Sequence, residues 1–295
     1  MNLAESKKGA FLLILAAAVG GIGFVWLKEL LDSGFTSLQC LWGRYAVANV
    51  VMGICYIIKR REISKEAFKK GVILGIILFV FFYVMIEGLR LTTPSVNAFL
   101  TNTQSVMVPI MAFLLFRKKP SKKVCVAATM TVLGAWMLSF NGEADFSLGA
   151  IISLLSAAIF SLQMVLLGGF VKGCDPMDLT AAEGFTVFVL SYIVMFFKDG
   201  YPKITGGDVV PLVGLGFFCT FLYFVLLSMG QKNTSETTAG IIITSESVFA
   251  AIFSFLLYGE RMSILAFFGC AIIFAAILLT ECDFKNLKLL TRVKK

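Results

Sequence analysis

Histidine is missing from this chain altogether, and charge of either sign is scarce, at 15% of 295 residues. The first absence removes the commonest general acid–base and the commonest metal ligand. Neither a Ser/His/Asp triad nor a histidine-ligated metal can be assembled. The seven cysteines (Cys40, Cys55, Cys125, Cys174, Cys219, Cys270 and Cys282) scatter without a C-x-x-C pair. Neither a zinc site nor a disulfide framework is expected, and they read as small apolar fillers of helices. Carboxylates are not clustered either, so a membrane-embedded hydrolase has no candidate constellation. The chain is not expected to be an enzyme, and no metal or cofactor is expected.

What is present is apolar. Hydrophobic residues make up 58% of the chain, 29 of them Phe, and the mean hydropathy is +0.89. A soluble domain carries about 45–50% apolar and about 25% charged residues, so this is an integral membrane protein. A bilayer-crossing helix needs about 20 mostly apolar residues. The hydropathy pattern predicts ten, over 9–29, 36–58, 70–91, 95–116, 122–140, 147–170, 178–198, 209–230, 235–258 and 262–281. The run 9–27 comes after Lys7 and Lys8 but is long enough to span, so it is read as the first helix and not as a cleaved signal.

Lysine and arginine divide unevenly between the connections. With the N-terminus inside, twenty fall on the cytoplasmic side, in Lys7/Lys8, 58–70, 117–123, Lys172, Lys232 and the tail 285–295. Five (Lys28, Arg90, Lys198, Lys203 and Arg261) fall on the other. This bias predicts a multi-pass protein of the cell membrane with both termini cytoplasmic. The net charge of +8 is then a matter of topology and anionic lipid, not of nucleic acid.

The chain also matches itself. At an offset of 142, QSVMVPIMAFLLFRKKPS (104–121) aligns without a gap to ESVFAAIFSFLLYGERMS (246–263), with seven identities. At an offset of 140, GAFLLILAAA (9–18) aligns to GAIISLLSAA (149–158). The expected domains are a first five-helix unit over 1–141, a second over 142–284, and a basic tail over 285–295. Five is odd, so the second copy enters the membrane upside down. Inverted repeats let a transporter form two alternating gates around a midplane site. The fold class expected is therefore all-α, with ten transmembrane helices as two inverted repeats around a central cavity. Small residues at four-residue spacing (Gly149, Ser153, Ala157 and Ser161; Gly71 and Gly75) suit close helix packing.

Three stretches resemble the drug/metabolite transporter superfamily and its EamA-type ten-helix members. SESVFAAIFSFLLYGERMS is similar to the family's ninth-span signature, with Glu246, Val248, Phe249, Ala250 and Gly259-Glu260-Arg261 in place. GGIGFVWLKELL (20–31) is similar to its opening helix, and Arg44 in LWGRYAVAN matches the second-span arginine. Ser247 stands where the family usually has proline, and Arg117-Lys118 replaces the first copy's glycine-glutamate pair. The resemblance implies two EamA repeats around a cavity and transport of amino acids, metabolites or amphipathic drugs, export more than import.

Several polar residues are candidates for that work. Glu246 lies about eleven residues into its span, where a carboxylate is costly and rarely present for stability alone. It is the leading candidate for substrate or proton coupling, with an interhelical tie to Ser/Thr hydroxyls as the alternative. Gln104, its repeat mate, is either cavity lining or a structural bridge. Arg44, about nine residues inside the second span, needs a carboxylate or helix-end carbonyls, or else meets a substrate carboxylate. The aromatic runs LFVFFYVM (78–85) and FFCTFLYF (217–224) offer Phe79, Phe82, Tyr83, Phe221 and Phe224 as cavity wall or as lipid-facing bulk. Lys28 and Glu87, near the outer ends of their spans, are gate or ion-pair candidates unless they snorkel. Glu183 is expected to cap the seventh span.

Two transport readings are open. One is alternating-access movement of a small amphipathic metabolite, an amino acid or related compound. The other is a multidrug or cationic-compound transporter with Glu246 as counter-ion. Expected partners are a small-molecule substrate, coupled protons or other ions, and the lipid bilayer, with the chain a monomer or a homodimer.

Overall fold

An apolar chain in hydrocarbon must satisfy each backbone N–H and C=O within its own segment, and the helix is the local way to do so. The computed structural model describes residues 3–91, 97, 100–117, 119–139, 148–258 and 263–281. Among the described residues every regular element is helical. Helix is found in each of the ten stretches where the hydropathy pattern places one. Six are long and apolar enough to cross a membrane: Glu5–Asp32, Ser37–Lys59, Lys65–Leu91, Leu148–Phe170, Pro176–Lys198 and Gly206–Lys232. Shorter apolar helices cover Leu100–Phe116 and Phe267–Thr280. The motif residues Gly259-Glu260-Arg261, Lys118 and the basic tail lie outside the described residues.

The first half contains α1 (Leu3–Gly21), α2 (Gly23–Asp32), α3 (Ser37–Lys59), α4 (Lys65–Leu91), α5 (Gln104–Phe116) and α6 (Lys122–Ser139). The second contains α7 (Leu148–Phe170), α8 (Pro176–Lys198), α9 (Val209–Gly216), α10 (Tyr223–Lys232), α11 (Glu236–Ile243), α12 (Glu246–Tyr258) and α13 (Ile264–Glu281). Between α9 and α10 the backbone winds as a π-helix over Phe217–Leu222. Capping residues set several starts. Thr36 and Gln39 form a capping box before α3, and Ser235 accepts from the Thr238 N–H at α11. Asp175, followed by Pro176 at the first helical position, caps α8. The expectation that Glu183 would cap this helix is thereby corrected. Asp175 already holds the free N–H groups, and Glu183, two turns further in, is buried.

Two expected spans are broken at matching places. The chain turns at Thr103, immediately before α5, and at Thr244–Ser245, immediately before α12. An offset of 142 superposes Thr103 on Ser245 and Gln104 on Glu246. The breaks are also tied together, since the Asn102 amide donates to the Ser247 hydroxyl at 2.7 Å.

Between the halves, α4 packs on α7 and α8, while α9 and α10 pack on α1 and α3, and α6 packs on α13. Glycine permits the closest approach: a Cβ on Gly75 would lie 2.7 Å from the Glu183 carbonyl oxygen. The small-residue stripe of α7 is likewise inside, and Ser153 accepts from the Asn97 amide at 2.8 Å. Loops clasp at both ends. On the face rich in Lys and Arg, Arg61 pairs with Asp175 at 2.9 Å and Asp178 at 3.1 Å, and the Tyr56 hydroxyl donates to Asp178 at 2.7 Å. On the opposite face the Thr36 hydroxyl donates to Asp199 at 2.6 Å and the Gln39 amide to the Gly200 carbonyl at 3.1 Å.

Candidate functional site

The three helix interruptions converge on one place. Ile22 breaks the first span between α1 and α2, the turns at 103 and 244–245 break two others, and the π-segment widens a fourth. Around them lies a cavity with residues of both halves in its lining. The first half contributes Gly20, Gly23, Phe24, Arg44, Phe81, Phe82 and Gln104 among others; the second contributes Phe160, Cys219, Tyr223, Phe224 and Glu246.

Glu246 is the first residue of α12 and faces the cavity, partly exposed to it. There it stands at the N-terminal end of a half-helix, whose dipole favours a negative group. The Tyr223 phenol is its polar neighbour, within reach to donate a hydrogen bond. Gly20 and Gly21 bring α1 hard against this corner. A Cβ at Gly20 would lie 2.8 Å from the Tyr223 ring and 2.9 Å from the Glu246 carboxyl carbon, and one at Gly21 2.7 Å from the Ala250 nitrogen. The glycines of the opening helix therefore leave room for the carboxyl.

Arg44 holds another wall. Its Nε donates to the Thr220 hydroxyl at 2.8 Å and an Nη to the Cys219 carbonyl at 2.7 Å. The Thr220 hydroxyl donates onward to the Leu215 carbonyl at 2.8 Å. Both acceptors of the guanidinium belong to the π-segment, where the extra residue per turn frees a carbonyl from the ordinary ladder. Of the two partner types open to Arg44, the structure supplies a helix carbonyl, together with a hydroxyl. Its plane lies over the Phe82 ring, 4.3 Å from the centroid. Two of its five N–H donors are used by these bonds, and it forms no ion pair with Glu246 across the cavity among the described residues. The Gln104 Oε1 and Thr101 Oγ1 atoms are buried without a hydrogen-bond partner. Opposite charges and unsatisfied acceptors thus surround one aromatic-walled space.

Of the residues singled out in the sequence, the structure brings together Glu246, Gln104, Arg44, Phe82 and Phe224. It places the others elsewhere. Phe79 stacks on Tyr83 at 6.4 Å, and the Tyr83 hydroxyl accepts from Lys198 at 2.9 Å at the end of α8. Phe221 lines a smaller neighbouring pocket. Lys28 pairs with Asp32 at 2.6 Å on the surface of α2, and Glu87 with Arg90 at 3.5 Å on α4. Both are local pairs one turn apart and do not join the two halves. Phe81, Phe160, Tyr223, Thr101 and Asn102 line the cavity without having been singled out. Phe81 had a usable signal: 78, 81, 82 and 85 form one helical face.

Long apolar helices around a charged central cavity define a polytopic membrane transporter. The EamA-like transporter family matches residues 7–140 and, a second time, 147–282. The chain belongs to that family. An uncharacterized transporter of Archaeoglobus fulgidus is 27% identical over 214 residues, 72% of this chain and 69% of that one. The uncharacterized transporter YcbK of Bacillus subtilis is 22% identical over 97% of this chain and 96% of its own length. A solved crystal structure of another protein superposes with a TM-score of 0.76, covering 95% of this chain and 97% of that one. Its 15% identity makes this a likeness of fold.

Proposed function

We propose that the protein is a secondary transporter for a small zwitterionic metabolite, an amino acid or related compound, working by alternating access. The observation that carries this is the cavity itself. The Arg44 guanidinium with spare donors and the Glu246 carboxyl face one space, unpaired with each other, and aromatic rings fill the remaining wall. A carboxylate and an ammonium on one solute would be met by these two groups, and an apolar side chain by the rings.

The mechanism would use ten spans in two inverted halves. Supporting the inversion, contacts between halves come in exchanged pairs: α4 on α7 and α8 is the counterpart of α9–α10 on α1 and α3. The Arg61–Asp175 clasp at one face is the counterpart of the Thr36–Asp199 clasp at the other. Opening one clasp while the other holds would expose the cavity to one side at a time. Protons would couple through Glu246. The charge bias of the connections supports both termini lying in the cytoplasm of a cell-membrane protein, and the family resemblance supports export, by a monomer or a homodimer. Transport, not catalysis, is the activity we assign.

The second reading, a cationic-compound transporter with Glu246 as counter-ion, draws on the aromatic wall. Arg44 in the same wall weighs against it. Uptake into proteoliposomes with panels of amino acids and of cationic drugs, with and without a pH gradient, separates the two. The zwitterion reading expects amino-acid transport that Arg44→Ala abolishes and a pH response that Glu246→Gln removes. Drug transport that survives Arg44→Ala would favour the second reading, and unchanged coupling in Glu246→Gln would overturn the role given to the carboxyl.

A further inference from the structure

A buried carboxyl on α8 has so far no role. Glu183, 1% exposed, lies on α8 beside a separate small pocket that also reaches Tyr45, Asn49, Thr180, Thr220 and Phe224. The Gln163 amide donates to Glu183 Oε1 at 2.7 Å. Three oxygens here are buried without a partner: Glu183 Oε2, Gln163 Oε1 and the Tyr45 hydroxyl. Such atoms are rare in native proteins and ask for an explanation.

Among the described residues no cation pairs with this carboxyl. Each helix around it offers neutral groups: Tyr45 from α3, Gly71 and Gly75 from α4, Gln163 from α7, Thr220 and Phe224 from the π-segment and α10. On α8 itself the nearest acid, Asp178, is taken by Tyr56 and Arg61. Arg44 is adjacent to Tyr45 in sequence, but its bonds turn it to the π-segment. A buried carboxylate with no counter-charge costs several kcal/mol, whereas a neutral carboxyl fits such a site.

The place matters as much as the chemistry. Glu183 is seven residues into a helix that starts on the Lys/Arg-rich face, so about 10 Å in. Glu246 is ten residues past the start of α11 on that same face, so about 15 Å in. Phe224 borders both cavities, and its ring meets that of Phe82 edge-on at 6.1 Å, as Phe82 meets Tyr45 at 6.1 Å. Phe224 is thus a common wall of the two cavities, with Phe82 against it on the Glu246 side.

We propose that Glu183 is a second proton-binding site, across the Phe224 wall from Glu246. Its Oε2 takes a proton from water in the smaller pocket when that pocket is open, holds it as a neutral acid when occluded, and returns it to water on reopening. Gln163 positions the carboxyl through Oε1. The proton site stands on its own geometry; its part in coupling rests on the transport reading above.

Infrared difference spectra of the lipid-reconstituted protein, stepped from acid to alkaline pH, test the site without any substrate. The wild type should show carboxylic C=O bands that lose one component in Glu183→Gln and a different one in Glu246→Gln. Glu183→Asp, which keeps an acid on a shorter stem, should retain a shifted band and remains informative if Glu183→Gln does not fold. Spectra in which Glu183→Gln matches the wild type, or in which Glu183→Asp lacks the band, would overturn the proposal. In proteoliposomes, Glu183→Gln should carry fewer protons per substrate, read from the pH change on adding amino acid. Unaltered stoichiometry would remove Glu183 from coupling. Absence of transport by the wild type would count against the transport reading alone, because the infrared result does not depend on it.

Discussion

Thr220→Val isolates the bond network that holds Arg44 in the wall. Valine keeps the shape of threonine and removes only the hydroxyl, which is buried, accepts from Arg44 at 2.8 Å and donates to Leu215 at 2.8 Å. Removing it takes the acceptor from the Arg44 Nε–H and one donor from the Leu215 carbonyl. A hydrogen bond to a charged group contributes about 1.5–3 kcal/mol and a neutral one about 1, so the loss should be about 2–4 kcal/mol. At roughly 2–4 °C per kcal/mol, the scale for soluble domains somewhat smaller than this chain, Tm should fall by about 5–15 °C. The assay is thermal unfolding in detergent at one fixed scan rate, because membrane proteins unfold irreversibly and the midpoint depends on rate. The Cys219 carbonyl bond at 2.7 Å should keep Arg44 nearby, so transport should persist with weakened substrate affinity. Combined with Arg44→Met, the falls in Tm should be less than additive. A Tm within about 1 °C of wild type, with additive effects in the double variant, would refute the anchoring role of the π-segment.

Gly20→Ala should lower stability by about 1–3 kcal/mol through overpacking and weaken uptake, since its methyl would press on Tyr223 and Glu246. Gly53→Ala, whose Cβ would meet nothing within 4 Å, is the control and should melt at or above the wild-type temperature. Ser247→Pro restores the usual family residue at the second position of α12, in the first turn where the proline ring fits, and removes the Ser247 N–H bond to the Thr244 carbonyl at 3.3 Å. It should fold, yet lose about 1–3 kcal/mol because the buried Asn102 amide forfeits its acceptor, as thermal unfolding would show.

Much of this arrangement could be read in advance. The ten helical stretches come from hydropathy, and the 142-residue register finds its counterpart in the breaks before Gln104 and Glu246. Arg44 and Glu246 stood out because charge at such depth is costly. The phase of the aromatic helices did not stand out. In LFVFFYVM the spacing groups Phe81 with Phe82 on one face and Phe79 with Tyr83 on another, but both faces are aromatic, so the spacing does not say which of them meets the cavity. In FFCTFLYF the π-turn adds a residue and rotates the helix beyond it by about 100°, so Phe221 leaves the cavity and Tyr223 enters it. No residue in that stretch announces the turn. Glu183 misled for another reason: position alone suggested a cap, while the true cap, Asp175, stood immediately before Pro176.

The most direct test is substrate protection of a single cysteine at position 101. Thr101→Cys, in a background without the native cysteines, puts a thiol where Thr101 lines the cavity with its hydroxyl unpartnered. A small hydrophilic maleimide should label it in the lipid-reconstituted protein, and a transported amino acid should slow that labelling. Labelling that proceeds at the same rate with every solute that the protein carries would contradict a substrate site between Arg44 and Glu246.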